Sequence, residues 1–64
     1  MNFNLRKFCK ILAQKQLKLV DVSKESNINC GTISKYKNGK LKPNLRNIGK
    51  LAKALNVSID EIVD

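Results

Sequence analysis

Histidine and tryptophan are absent from this 64-residue chain, proline occurs once, cysteine twice, and only five residues are acidic. Each shortage excludes something. Without histidine there is no proton shuttle near neutral pH and no imidazole ligand, so a zinc site has little to build on. Cys9 and Cys30 are too few for the multi-bridge framework of a small secreted fold, and their spacing matches neither CxxC nor a zinc-ligand pattern. No apolar run approaches the roughly 18 residues of a spanning helix, and residues 1–10 lack the uninterrupted apolar centre of a signal peptide. A cytoplasmic location is the expectation. No phosphate-binding glycine loop and no nucleophile paired with a base occur either, so the chain does not read as an enzyme. No cofactor, metal or small-molecule ligand is expected.

What is present is positive charge. Thirteen lysines and arginines give a formal net charge of +8, and self-repulsion of that size is tolerated mainly where a polyanion neutralises it. No acidic residue lies between Glu25 and Asp60, while Lys35, Lys37, Lys40, Lys42, Arg46, Lys50 and Lys53 all fall in that interval. Charge alone leaves two readings open, a solvated lysine surface that keeps the protein soluble and a nucleic-acid footprint. A membrane-surface helix is a third, but no segment pairs a broad apolar face with a basic one. At 64 residues the chain forms one domain at most, without room for a deep cleft, and 42% hydrophobic residues suffice for one small core.

Apolar residues recur at helical spacing and nowhere alternate over a strand length, which predicts an all-α fold. The first helix, about 5–14, begins after Asn4, a good N-cap, and carries Leu5, Phe8, Cys9 and Leu12 on one stripe. A second covers about 19–26, with Val22 and Ser23 inward and Leu17 packing before it. Lys18 cannot accept from the orphan N–H groups at its start, and Asp21 offsets this in part through the helix dipole. Asn27 suits a left-handed helix end, Ile28 tucks inward, and Asn29 caps a third helix over about 30–37 with Ile33 and Tyr36 facing the core. Gly39 supplies the positive φ that ends it. Pro43 and Asn44 start a fourth helix over 45–55, and Asn56 takes its left-handed end. "SIDE" at 58–61 reads as a capping box that opens a fifth short helix over 59–63. The expectation is a compact five-helix bundle in a single domain.

With "TISKYKNGKLKP" followed by "LAKALNVSIDEIVD", the sequence resembles the Cro-like (Xre-type) helix-turn-helix family of bacterial and phage transcription regulators over nearly its whole length. The segments that carry the resemblance are Thr32-Ile33-Ser34, Asn38-Gly39-Lys40, Lys42-Pro43 and the run from Leu51 to Ser58. The resemblance implies a lambda-repressor-like domain whose third helix enters the major groove, with residues near its N-terminus against base edges. That nominates Asn29, Cys30, Gly31, Ser34 and Lys35 for base readout. Asparagine pairs with adenine and lysine donates to guanine. Asn29 is equally suited to capping its own helix, and it cannot do both. The family's Asn-Gly-Lys turn approaches a phosphate, which carries Asn38, the Gly39 N–H and Lys40 over as backbone contacts, with Lys18, Thr32 and Lys42 added. Six such contacts imply a slope of log affinity on log salt of about −5.

Four departures from the family pattern stand out. Leu19 replaces a glutamine that commonly holds a phosphate. Leu12 and Lys37 replace an arginine and a glutamate that commonly pair, and both halves have changed together. Cys30 and Gly31 stand where a polar reading pair is common, leaving the base-facing surface sparsely furnished. Gly31 reads as tolerated or as allowing close approach to the groove, and Cys30 as a small contact or an oxidant-sensing thiol.

The expected partner is therefore double-stranded DNA, bound by a homodimer whose contact surface in relatives uses the last helices, here 55–63. A repressor on a two-fold operator is the leading reading. The alternative, motivated by Cys30 and Gly31, is an antitoxin-like or antirepressor-like protein-interaction module with secondary DNA binding. RNA is the poorer match, since its deep major groove excludes a helix and the chain has only one tyrosine and two phenylalanines for stacking.

Overall fold

Asn4 opens the first helix, its side-chain oxygen accepting from the Lys7 N–H at 3.1 Å. In the computed structural model, which describes residues 1–64, α1 spans Leu5–Lys15, α2 Leu19–Ser26, α3 Cys30–Lys37 and α4 Leu45–Leu55. The bundle has four α-helices rather than five. Residues Ile59–Glu61 form a single 3₁₀ turn, held by Glu61 N–H to Ser58 O and Ile62 N–H to Ile59 O. The expected capping box is half made. Glu61 Oε2 accepts from the Ser58 N–H at 3.0 Å, but the Glu61 N–H goes to the Ser58 carbonyl instead of its hydroxyl. The chain cannot continue as a helix because Val63 is already extended, in an isolated antiparallel bridge with Phe3. Asn4 N–H to Ile62 O, Asp64 N–H to Asn2 O and Asn4 Nδ2 to Asp64 Oδ1 complete that pairing.

One cluster of thirteen buried apolar residues, drawn from all four helices, forms a single core. The α1 stripe is rotated from the expected one. Phe8, Ile11 and Leu12 are buried, Cys9 is half-buried and Leu5 is exposed. Leu5 lies at the rim because it covers the turn after α3, where a Cβ built on Gly39 would come within 3.3 Å of Leu5 Cδ2. From α2 the core takes Val22; from α3, Ile33 and Tyr36; from α4, Ile48, Leu51, Ala52 and Leu55. Ile62 and Val63 seal the base. Phe3 packs between Phe8 and Tyr36 with ring centroids 5.4 and 6.4 Å away, tying the first residues to both α1 and α3.

Helix ends use the chemistry that the sequence offers. Asn27 and Asn56 take left-handed conformations at the ends of α2 and α4, at φ 60° and 59°. After α1 the left-handed residue is Gln16, at φ 54°. At Gln16, Gly39 and Asn56 the same pair of bonds recurs, such as Leu17 N–H to Leu12 O with Gln16 N–H to Ala13 O, the Schellman arrangement that satisfies two orphan carbonyls. Lysines add to this. Lys15 Nζ donates to Leu55 O at 2.7 Å, placing a cation on the C-terminal dipole of α4, and Lys7 Nζ donates to Val63 O at 2.8 Å.

Candidate nucleic-acid interface

The turn between α2 and α3 is built from α2's own serines. Asn27 bends the chain, and Ile28 then drops into the core with both its backbone groups taken. Its N–H donates to Ser26 Oγ at 3.2 Å, and its carbonyl accepts from Ser23 Oγ at 2.6 Å. Ser26 is buried, whereas Ser23 is half-buried. The Lys18 entry to α2 is stabilised more directly than by the helix dipole, since Asp21 Oδ2 accepts from the Lys18 N–H at 3.0 Å. Helix, turn and helix are thus joined by side-chain-to-backbone bonds as well as by the chain itself.

At the start of α3, Asn29 Oδ1 accepts from the Gly31 N–H at 2.7 Å, so Asn29 caps the helix. At about 100° per residue, Cys30, Gly31, Ser34, Lys35 and Asn38 share the face opposite Ile33 and Tyr36. Cys30, Gly31, Lys35 and Asn38 are exposed and Ser34 is half-buried. Thr32, also half-buried, sits beside Tyr36 at the edge of that face. Gly39, at φ 74°, ends the helix. Its N–H donates to Tyr36 O at 3.2 Å and the Lys40 N–H to Lys35 O at 2.9 Å, so the Gly39 N–H is already taken within the chain. What Gly39 contributes is the bend that sets Asn38 on one side and Lys40 on the other.

Lys40 and Lys42 are exposed along the connection to α4, followed by buried Pro43 and the Asn44 cap, whose oxygen accepts from the Asn47 N–H at 2.8 Å. Asn47 in turn donates from Nδ2 to the Tyr36 hydroxyl at 2.8 Å, joining the first turn of α4 to the last turn of α3. Sequence patterning does not reveal this contact, because Asn47 is one of several polar residues on α4 and nothing in its spacing marks a partner.

The departures acquire a local explanation. Leu12 is buried and Lys37 exposed, so the exchange of an ion pair for a leucine and a lysine leaves no unpaired charge inside. Lys37 and Lys18 line one open depression floored by Leu12, Leu17 and Leu19. The entry of α2 and the end of α3 thus each contribute a cation to the border of this depression, and Lys37 joins the set of phosphate-facing candidates. Its signal in the sequence is the missing glutamate. Lys7 and Lys15, in contrast, are engaged with backbone carbonyls of the domain's own lower half. From Ser26 to Ile59 no acidic side chain interrupts the basic face.

No match was found among curated proteins or among solved structures. A family model described as helix-turn-helix matches residues 5–62, nearly the whole chain, a span that contains all four helices and the α2–α3 turn. The chain belongs to the Cro/C1-type, Xre-like helix-turn-helix family, and its general role is that of a DNA-binding transcription regulator.

Proposed function

We propose that this protein is a sequence-specific repressor that binds a two-fold DNA operator as a homodimer, with two α3 helices entering successive major grooves about 34 Å apart. The observation that carries this reading is the outer face of α3. It is exposed at Cys30, Gly31, Lys35 and Asn38, held by the serine-bonded turn and the Tyr36–Asn47 bond, and bordered by lysines with no acidic side chain from Ser26 to Ile59. Lys18, Lys37, Lys40 and Lys42, with Asn38 and Thr32, position the duplex through its phosphates, and Lys35 with its neighbours on α3 meets the bases.

For the second copy, the last residues taken as a whole do not serve, since Leu55, Ile62 and Val63 belong to the protein's own core. The face that suits it runs from exposed Leu45 along Gly49 to exposed Ile59, with Lys53 and Glu61 lining the same depression. A two-fold contact there sets each Lys53 against acidic residues of the partner. Glu61 lines this depression and Asp60 precedes it in the same 3₁₀ turn, so acidic charge here offsets part of the repulsion between two chains of charge +8.

Selection of bound duplexes from a random pool tests the reading. An enriched palindrome supports it, and a protein that competes equally for random and selected duplexes in a gel shift refutes it. Lys40→Ala is expected to weaken binding to all sequences about equally, whereas Lys35→Ala changes which sequence is preferred. Equal, uniform losses from both would remove Lys35 from the reading set.

A further inference from the structure

On the reading of this domain as a sequence-specific DNA binder, we propose that α3 selects a guanine at Lys35 and a thymine methyl at Cys30–Gly31, and that Asn29 does not select adenine. Asparagine recognises adenine by accepting from N6 through Oδ1 while donating to N7 through Nδ2. In this chain Oδ1 already accepts from the Gly31 N–H at 2.7 Å. Gly31 reinforces that commitment, since a Cβ built on it would lie 3.0 Å from the same oxygen. With no side chain at Gly31 the cap has room, and the closed cap engages one lone pair of Oδ1 and holds the amide on its own helix, so the group is not free to turn Oδ1 and Nδ2 together onto an adenine.

Apart from Asn38 at the far end of the helix, assigned above to a phosphate, the remaining outward groups are a thiol, a bare Cα, a hydroxyl and an ammonium. Cys30 and Gly31 are exposed and adjacent, and together they offer a small, weakly polar surface with almost no hydrogen-bonding capacity. The one apolar feature that a base pair presents in the major groove is the thymine C5-methyl. Lys35, one turn after Gly31 on the same face, is a donor only, so it matches the O6 and N7 acceptors of guanine. Ser34 between them takes either polarity. No carboxylate occurs on α3, which leaves the donor edge of cytosine without a dedicated acceptor. Four residues of helix rise by about 6 Å, close to two base-pair steps of about 3.4 Å, so the guanine and the thymine fall within about two steps of one another.

The test uses the duplex recovered by selection from a random pool, remade with 7-deazaguanine in place of guanine or uracil in place of thymine. The expected half-site holds a guanine and a thymine within two steps. Loss of the guanine N7 is expected to weaken wild-type binding about tenfold, within the range for a specific base contact, and to leave Lys35→Ala unaffected. Loss of the thymine methyl is expected to weaken it about fourfold, the transfer value of one buried carbon. Asn29→Ser, which keeps a capping oxygen, is expected to retain the same preferred half-site. A half-site centred on adenine, base analogues without effect, or a changed preference in Asn29→Ser would overturn the proposal while leaving sequence-specific binding intact. Absence of any enriched sequence would instead remove the reading on which it rests.

Discussion

At the scale of single residues, the fold depends on small polar side chains that close off backbone groups where the chain turns. No buried side-chain nitrogen or oxygen lacks a partner, and the α2–α3 turn is where this accounting is tightest. Ile28 is 7% exposed, yet its N–H and carbonyl fall outside any helix ladder and are met by Ser26 and Ser23. Ser26→Ala is therefore expected to lower stability by about 1–3 kcal/mol, the cost of a buried donor left unmet. Ser23→Ala should cost about 1 kcal/mol, because water can reach the half-buried position. Urea denaturation of the two variants checks the ranking, and equal midpoints would show that the Ile28 N–H finds another acceptor. The sequence places Ile28 inward and Asn27 at the bend. It does not reveal the role of Ser26, since a serine at the end of a helix is ordinarily solvated.

At the scale of elements, helix existence is legible because it rests on local periodicity and local caps. Asn4, Asn29 and Asn44 each accept from a first-turn N–H, and Asn27, Gly39 and Asn56 each take positive φ. What fails to show is set by tertiary geometry. Leu5, expected on the α1 stripe, lies exposed over the Gly39 turn while Ile11 is buried, and the final helix is cut to one 3₁₀ turn because Val63 pairs with Phe3. A single residue pair about sixty positions apart has no periodicity to read. The glycines make the distinction testable. Gly49 lies inside α4 with nothing within 4 Å of an added Cβ, so Gly49→Ala should stabilise by about 1 kcal/mol through helix propensity. Gly39, at φ 74°, is the converse case, and Gly39→Ala should destabilise by about 1–2 kcal/mol. Thermal or urea unfolding of both variants would give shifts of opposite sign, and shifts of the same sign would contradict this account of the two positions.

At the scale of the whole molecule, the charge of +8 is divided between two tasks that composition cannot separate. Lys7 and Lys15 hold carbonyls near the end of α4 and the base of the domain, while Lys18, Lys37, Lys40 and Lys42 surround α3 without such partners. The total is plain in the sequence, and the family resemblance nominates one side of the molecule, but only the folded chain distinguishes cations bonded to its own carbonyls from those without such partners. It also revises the expected salt dependence. Of the six contacts first considered, the Gly39 N–H is taken within the chain, and Asn38 and Thr32 are uncharged and displace no condensed counterion. Counting only the four lysines proposed to meet phosphates, Lys18, Lys37, Lys40 and Lys42, at about −0.9 each gives a slope near −4 for one protomer and near −7 for a dimer. Measuring affinity for the selected duplex across salt concentrations would then count protomers and contacts together. Lys40→Ala should make the dimer slope shallower by about 2, one phosphate per protomer, whereas Lys15→Gln should lower stability and leave the slope unchanged. A slope that responds equally to both substitutions would mean that the cations act as a diffuse cloud around the domain and not through positioned contacts.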